Sequence, residues 1–395
     1  KKRIQSPRLH SLSTLQTVAN QKWKYSPSKV LEVTQSLYEK KLVTYPRTDC
    51  NYITENEYQY LARLAESYQN LLGFHFATNK IPKKRYVDES KVQEHYAIIL
   101  TKNVPSIDIL NALSPEEKNI YGEILRTTLA MFHSDYIYEE TKIITSVNGL
   151  DFETIGRIEI DKGWKTLFSN QTNNLTKDEK TVDEKNPLPN VYQGEQVLSV
   201  VQSKEGHTTP PKRLTEAGII NLMKGAGKYV ENADESTILN EVEGIGTEAT
   251  RAAIIEQLKS VGYIEVKNNM VYLTTKGEIL CEAIKGTLLA SPSMTAKWEK
   301  YLKEIIEGKG SPTAFLSRIV TFINHLIVEA PKQLNSEQLN NYISKEQEKL
   351  IIGTCPCCRK GKLVDKGNFY GCTEYKNGCM FIIGKTIAGK KLSEK

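Results

Sequence analysis

Thr44-Tyr45-Pro46-Arg47-Thr48-Asp49 sets a phenol beside a guanidinium with a proline between them. Proline biases the residue before it toward extended backbone, which moves Tyr45 out of the helical region. In an extended segment residues two apart share a face, so the Tyr45 and Arg47 side chains leave together. A phenol, with a pKa near ~10, is a poor nucleophile at neutral pH. A fixed cation stabilises a phenolate and can neutralise a phosphate oxygen during in-line displacement. The pair points to a tyrosine that attacks phosphodiesters. With 20 tyrosines in the chain, it needs context, because an ordinary Tyr-x-Arg is a buried tyrosine whose arginine bonds an acid such as Asp49.

The second chemical cluster is at the far end. Cys355 and Cys358 form a Cys-x₂-Cys knuckle, and Cys372 and Cys379 complete a set of four thiolates suited to tetrahedral zinc. Four thiolates leave no open coordination position, so the metal is structural. Gly361 and Gly371 suit turns, while Lys362-Leu363-Val364 and Phe369-Tyr370 suit the short strands of a zinc ribbon. A domain of ~45 residues has too little core to fold well without such a staple. Cys357 is a spare that could replace a neighbour, and the competing reading is a cysteine-rich hydrophobic module without metal. Clustered cysteines in a chain without a secretion signal favour metal over disulfides.

Length and composition fit a soluble multidomain protein. The 395 residues are 39% apolar and 25% charged, enough for two to four domains. No consecutive apolar run approaches the length of a membrane span, and no signal-peptide pattern opens the chain, so the expected location is the cytoplasm. Residues 351–395 hold nine Lys/Arg against three Asp/Glu, a surplus equal to the whole net charge of +6. A basic tail of this kind contacts polyanions or is simply solvated.

These groups need elements to hold them. Leu12, Leu15 and Val18 recur at helical spacing, and Ser26-Pro27 marks the start of a second helix whose apolar stripe is Val30, Val33 and Leu37. Leu42–Tyr45 reads as a strand that carries Tyr45 out of that helix. More helix is expected over 55–72 and 115–132. Residues 136–205 turn β-rich, with strand-like runs at 136–138, 141–146, 158–160 and 197–201 and a polar excursion near 169–187. Thr247–Val261 reads as a helix capped by Thr247 and stopped by Gly262, followed by a hairpin over 263–274. Helix, glycine stop and hairpin outline a winged-helix-like unit, though a plain helix–hairpin packing unit has the same outline.

Several segments resemble the type IA DNA topoisomerases, nearest their topoisomerase III branch. Leu42–Asp49 matches the active-site signature, with proline after the tyrosine as in that branch. Ser13-Thr14-Leu15-Gln16 and Gln35–Glu39 match the approach to it, and His95-Tyr96-Ala97-Ile98 resembles the His-x-Ala-Ile element. Thr208–Ala217 matches the entry to the DNA-holding domain, and Gly244–Arg251 its glycine-rich turn and helix start. The matches run in order over about 240 residues.

The resemblance implies a multidomain α+β protein. Its expected parts are a helical domain carrying the active-site tyrosine (1–132), an antiparallel β gate or hinge (133–209), and a helical DNA-holding domain with the winged-helix-like unit (210–330). A linker (331–350) and the zinc ribbon (351–395) complete it. The implied activity is ATP-independent strand breakage and resealing on single-stranded DNA, with relaxation of negative supercoils or decatenation as the outcome. Tyr45 would be the nucleophile that keeps the 5′ phosphate. Arg47 would orient and neutralise that phosphate, and His95 would donate a hydrogen bond to the scissile region or position a partner that does. Arg213, Thr215, Gly246, Thr250 and Arg251 are the implied DNA contacts, where Thr250 also suits capping of its own backbone. No Gly-x₄-Gly-Lys-Ser/Thr loop occurs, in keeping with the absence of an ATP requirement.

The family also has a domain with a glutamate and an Asp-x-Asp-type acidic cluster that binds Mg²⁺, and no Asp-x-Asp occurs in these residues. The expectation is a C-terminal part lacking that Toprim domain, monomeric, with no membrane partner, and inactive or nearly so by itself. A helicase or another DNA-processing protein would be the kind of partner such a part attends. A topoisomerase I of the same type and a non-catalytic single-strand binder are the alternatives. Cys50 stands where the family usually has Ser, and Leu100 where Pro often follows the His-x-Ala-Ile element.

Overall fold

A computed structural model describes residues 1–174, 188–334, 336–387 and 390–391. The chain packs as two compact units, one formed by 1–228, 240–257 and 267–271, the other by 229–239, 258–266 and 272–395.

The first unit opens with a short strand β1 (Lys2–Ile4), then helices α1 (Leu12–Trp23), α2 (Pro27–Glu39), α3 (Glu55–Leu72), α4 (Ile107–Ala112) and α5 (Pro115–Ala130). Three of the helix starts have a clear local cause. Ser11 caps α1 with Thr14 in a capping box, Ser26 caps α2 with Pro27 at its first position, and Ser114 with Glu117 boxes the start of α5. Their apolar stripes meet in one core that includes Leu12, Leu15, Val30, Leu37, Tyr58, Ile98, Leu100, Ile124 and Phe132. Strands β2 (Tyr136–Val147) and β3 (Leu150–Asp161) form a long antiparallel hairpin, and β1 adds to β2 with Arg3 opposite Ile137. Asn148 and Gly149, both at positive φ, make its two-residue turn.

Two strand expectations do not hold. Leu42–Tyr45 forms no strand: Leu42 lies in a bend, Val43 makes an isolated bridge to Leu100, and the Thr44 amide bonds Ile99 O at 3.0 Å. The Thr44 side chain takes the next rung: its hydroxyl donates to Ala97 O at 3.0 Å and accepts from Ile99 N at 2.9 Å. Residues 197–201, three of them valine, are exposed and belong to no strand, since propensity alone supplies no partner for the backbone groups. Most of the polar excursion near 169–187 lies outside the described residues.

Further on come α6 (Glu216–Lys224), α7 (Ala233–Glu241) and α8 (Arg251–Ser260), then β4 (Ile264–Lys267) and β5 (Met270–Leu273) joined through Asn268 and Asn269, both at positive φ as a type I′ turn requires. The helix–glycine–hairpin order read from the sequence is present. However, α8 proper begins at Arg251, after a turn in which the Arg251 and Thr250 amides both bond Thr247 O.

In the second unit, α9 (Thr275–Ile284) is followed by α10 (Ser293–Ile306), α11 (Pro312–Gln333) and α12 (Ser336–Lys349). Trp298 meets Phe315 and Phe322 edge-on, and Tyr301 stacks on Phe315 at 5.5 Å, which zips α10 to α11. By length and composition Pro312–Lys332 is long and apolar enough to cross a membrane, although Arg318, His325 and Glu329 interrupt it and no consecutive apolar run reaches that length. Phe315 and Phe322 face α10, while Leu316, Val320, Ile323, Ile327 and Val328 are exposed. The chain then forms β6 (Ile351–Thr354), β7 (Lys362–Asp365), β8 (Phe369–Cys372) and β9 (Ile382–Gly384) as one antiparallel sheet in that order, with a two-residue pair β10 (Thr386–Ile387) and β11 (Lys390–Lys391) after it.

Candidate active site and metal centre

Tyr45 reaches its place through three local devices. Lys41, at positive φ, turns the chain sharply after α2. Thr44 then clips the segment to Ala97–Ile99, as described above. Beyond the tyrosine, the Thr48 hydroxyl faces the His95 carbonyl at 3.4 Å, while the Thr48 carbonyl accepts the Leu12 amide at the start of α1. Residues 44–48 and 95–99 therefore hold each other on both sides of Tyr45.

The Tyr45 ring is half-buried. His95 lies against it with centroids 4.3 Å apart, and Tyr38 meets it edge-on at 5.7 Å. These rings line a cleft of about 950 Å³ with Lys41, Glu57, Tyr60, Tyr96, Lys102 and Asn103 among its walls. Two other phenols of the cleft are shielded: burial raises the pKa of Tyr60 and of Tyr96, and the Tyr60 hydroxyl donates to Leu100 O at 2.8 Å. Among the described residues the Tyr45 hydroxyl has no hydrogen-bond partner. Of these, Tyr45 is the phenol that sits beside an imidazole with its oxygen uncommitted. Arg47 is exposed and forms no ion pair or hydrogen bond among the described residues. The backbone bends at Pro46 and Arg47, so the strand alternation expected to put Tyr45 and Arg47 on one face does not carry across.

The implied DNA contacts fall in two groups. Arg213 is exposed just ahead of α6, and Thr215 caps that helix by accepting the Gly218 amide at 3.1 Å. Gly246 has φ +67°, and Thr250 is exposed with its hydroxyl accepting the Thr247 amide at 2.9 Å. Arg251 differs from these. It is 1% exposed, and its guanidinium donates to the carbonyls of Glu243, Ile245 and Gly246 and to Glu248. In this conformation it organises the glycine-rich turn from within. Gly244 is required there: φ is +87°, and a Cβ would come 2.0 Å from Met223 O.

Glu248 is a site residue that sequence reasoning missed. Its buried carboxylate accepts the Ser13 amide at 2.8 Å and the Ser13 hydroxyl at 2.6 Å, and pairs with Lys224 and Arg251 at 3.2 Å each. A carboxylate at the first turn of α1 suits the helix dipole, and it ties the 244–251 turn to the helix that Thr48 also caps. Tyr38 was likewise not singled out as a cleft residue. A pairing across 235 positions has no local signature.

At the C-terminus the sulfurs of Cys355, Cys358, Cys372 and Cys379 lie within 4.8 Å of one another. Zn–S bonds of ~2.3 Å in a tetrahedron put sulfurs about 3.8 Å apart, and Cys355–Cys379 and Cys358–Cys372 stand at 3.8 and 3.6 Å. The Gly361 and Glu374 amides point at Cys358 and Cys372 sulfurs, and amide bonds draw the Cys358 thiol down to about 6. Gly361 has no room for a Cβ, which would fall 2.6 Å from Cys372 Sγ. The donor set fits zinc, while Cys357 is exposed and outside the four.

A sequence profile of the family described as DNA topoisomerase matches residues 1–317. DNA topoisomerase 1 of Alkalihalophilus pseudofirmus is 32% identical over 99% of this chain and 54% of its own length. DNA topoisomerase 3 of Bacillus licheniformis is 32% identical over 92% and 49%, and that of Vibrio cholerae 33% over 82% and 49%. Full-length topoisomerase I from Thermotoga maritima superposes with a TM-score of 0.58 over 99% of this chain and 59% of that one, at 21% identity, a likeness of fold. The chain belongs to the type IA DNA topoisomerases. Within that class its relatives carry both the topoisomerase 1 and the topoisomerase 3 names, and it spans about half the length of those it matches.

Proposed function

We propose that this chain carries the nucleophile side of a type IA topoisomerase active site, topoisomerase III-like, acting on single-stranded DNA. The Tyr45 oxygen attacks the phosphorus in line with the 3′ oxygen of the scissile bond. The P–O3′ bond breaks, the phenol gives up its proton, the 3′ oxygen gains one, and the phosphate stays on Tyr45 at its 5′ side. Arg47 neutralises a non-bridging oxygen, and the His95 imidazole donates to the phosphate or its leaving oxygen. Reversal reseals the strand, so the ester bond keeps the phosphodiester energy and no nucleotide is consumed. Strand passage between the two steps changes linkage, by relaxation of negative supercoils or by decatenation.

Arg213, Thr215, Gly246 and Thr250 position the strand by its phosphates, as exposed cations, hydroxyls and turn amides do. Mg²⁺ would neutralise phosphate charge and be held by carboxylates of a domain outside these 395 residues, so the chain by itself binds strongly but cleaves little. Zinc, held by Cys355, Cys358, Cys372 and Cys379, would cross-link the ribbon. The protein acts as a monomer on nucleoid or plasmid DNA in the cytoplasm, with a helicase or similar DNA-processing protein as partner.

The observation that carries the reading is the Tyr45 ring against His95, its hydroxyl without a partner among the described residues, on the same loop as an Arg47 equally without one. Covalent trapping on labelled single-stranded DNA with Mg²⁺ tests it. The comparison is between this chain, a version extended by the remaining half its relatives possess, and that version with Tyr45→Phe. An adduct in the extended protein that vanishes with phenylalanine is expected. Binding without adduct in every version would leave a single-strand-binding scaffold instead.

A further inference from the structure

The loop that carries Tyr45 ends in a second cluster that the proposed reaction does not use. Arg8 Nη1 lies 2.9 Å and Lys91 Nζ 3.3 Å from the hydroxyl oxygen of Tyr52. Both cations also lie over its ring, 5.3 and 5.0 Å from the centroid. Neither forms an ion pair among the described residues. Two positive charges thus converge on one neutral oxygen, an arrangement that an anion would relieve.

Tyr52 accepts from both cations, which leaves its own O–H to donate, and no acceptor for it occurs among the described residues. With the phenol oxygen already taken up by both cations, what the cluster offers to a ligand is the remaining N–H and O–H donors. The matching ligand is an oxygen acceptor with negative charge, and a phosphate oxygen takes several charge-assisted bonds of this kind.

The cluster is held from beneath. The buried Cys50 sulfur is 3.4 Å from the carbonyl oxygens of both Tyr52 and Lys91. Asn51 Nδ2 donates to the carbonyl of Leu9, beside Arg8, at 2.6 Å. Ala97, two residues after His95, donates its amide to Tyr52 O at 2.9 Å. The segments that carry these three side chains are therefore pinned together, and the one with Tyr52 is also bonded to the segment that holds His95 against Tyr45. From Arg47 to Tyr52 the backbone spans at most about 18 Å, the reach of a few nucleotides.

We infer that Arg8, Tyr52 and Lys91 form a phosphate-binding subsite for the single strand, a few nucleotides from the phosphate presented to Tyr45. The inference rests on the proposed function and names a further part of the same binding track.

Binding of a fluorescent oligothymidylate to the full chain, measured by anisotropy across a salt series, tests it. Each phosphate neutralised on a single strand contributes roughly 0.7 to the slope of log K against log salt. The double variant Arg8→Gln/Lys91→Gln should bind several-fold more weakly with a slope shallower by about 0.7, its melting temperature unchanged. Lys118→Gln, an exposed lysine of α5, should match the wild type, and Arg47→Gln should weaken binding by itself. An unchanged slope in the double variant beside a weakened Arg47→Gln would overturn the subsite and leave the proposed function standing. Protection of Lys91 from acetylation by inorganic phosphate, with the oligonucleotide slope unchanged, would also overturn it, as an anion site off the strand's path. No oligonucleotide binding by the wild-type chain would overturn both.

Discussion

The His95 imidazole lies against the Tyr45 ring, with centroids 4.3 Å apart and planes tilted by 39°. His95 is exposed and its side chain makes no hydrogen bond among the described residues. His95→Ala therefore leaves stability nearly unchanged. In the extended protein it should slow adduct formation by about 10²-fold, the cost of removing one preorganised donor. Single-turnover cleavage with a parallel thermal melt checks both halves, and a fall in melting temperature that tracked the lost activity would mark His95 as structural.

Glu248 is a buried carboxylate serving Ser13, Lys224 and Arg251 at once. Glu248→Ala leaves the 1%-exposed Arg251 without its charge partner and uncovers the first turn of α1. Removing one partner of a buried pair costs about 3–5 kcal/mol, so denaturant unfolding should show a loss of that order. Glu248→Gln, which can still accept from Ser13, should lose less. Equal and small losses in both variants would mean that the clasp contributes little.

Much of this was visible in the sequence and some of it could not be. Ser26-Pro27 announced the start of α2 because a cap and a fixed φ act locally. The four thiols were legible because two short spacings bring them together with little help from the rest of the chain. The nearness of Tyr45 and His95 came from resemblance, not from any spacing rule. Arg251 was expected to face DNA, yet it turns inward, because three carbonyls of the glycine-rich turn are exposed to it only once that turn has folded. Ser13–Glu248 and Arg8–Tyr52–Lys91 are tertiary pairings, and neither periodicity nor propensity reports on those. The strand expected at 197–201 failed for the same reason, since a strand needs a partner as well as β-branched residues.

Glu123 gives a pH dependence. Burial alone would raise its carboxyl, but His10 at 3.7 Å and the hydrogen-bonded Lys22 at 2.7 Å outweigh that and hold it down to about 2. A depressed folded-state value means stabilisation that is present above the ordinary value of 4.5 and lost as pH falls toward 2. The difference corresponds to roughly 3 kcal/mol. The stability gap between wild type and Glu123→Gln should be open at neutral pH and close between about pH 4.5 and 2. A gap independent of pH would contradict this account of the cluster.

The ribbon makes a metal prediction. Purified protein should carry one zinc per chain, Cys372→Ser should lose it, and Cys357→Ser should keep it, because Cys357 lies outside the four-sulfur cluster. Without metal the small sheet of β6 to β9 has little core of its own, so proteolysis should clip residues after α12 in Cys372→Ser first. Metal analysis and limited digestion read both, and zinc retained in Cys372→Ser would place the ligands elsewhere.

The most direct measurement of the central claim is the location of the covalent bond. The extended protein would be trapped on single-stranded DNA with Mg²⁺, digested with nuclease and protease, and the nucleotide-bearing peptide sequenced by mass spectrometry. The account predicts a nucleotide joined through its 5′ phosphate to Tyr45. A nucleotide on Tyr38 or Tyr96 of the same cleft, or a 3′ linkage, would contradict it.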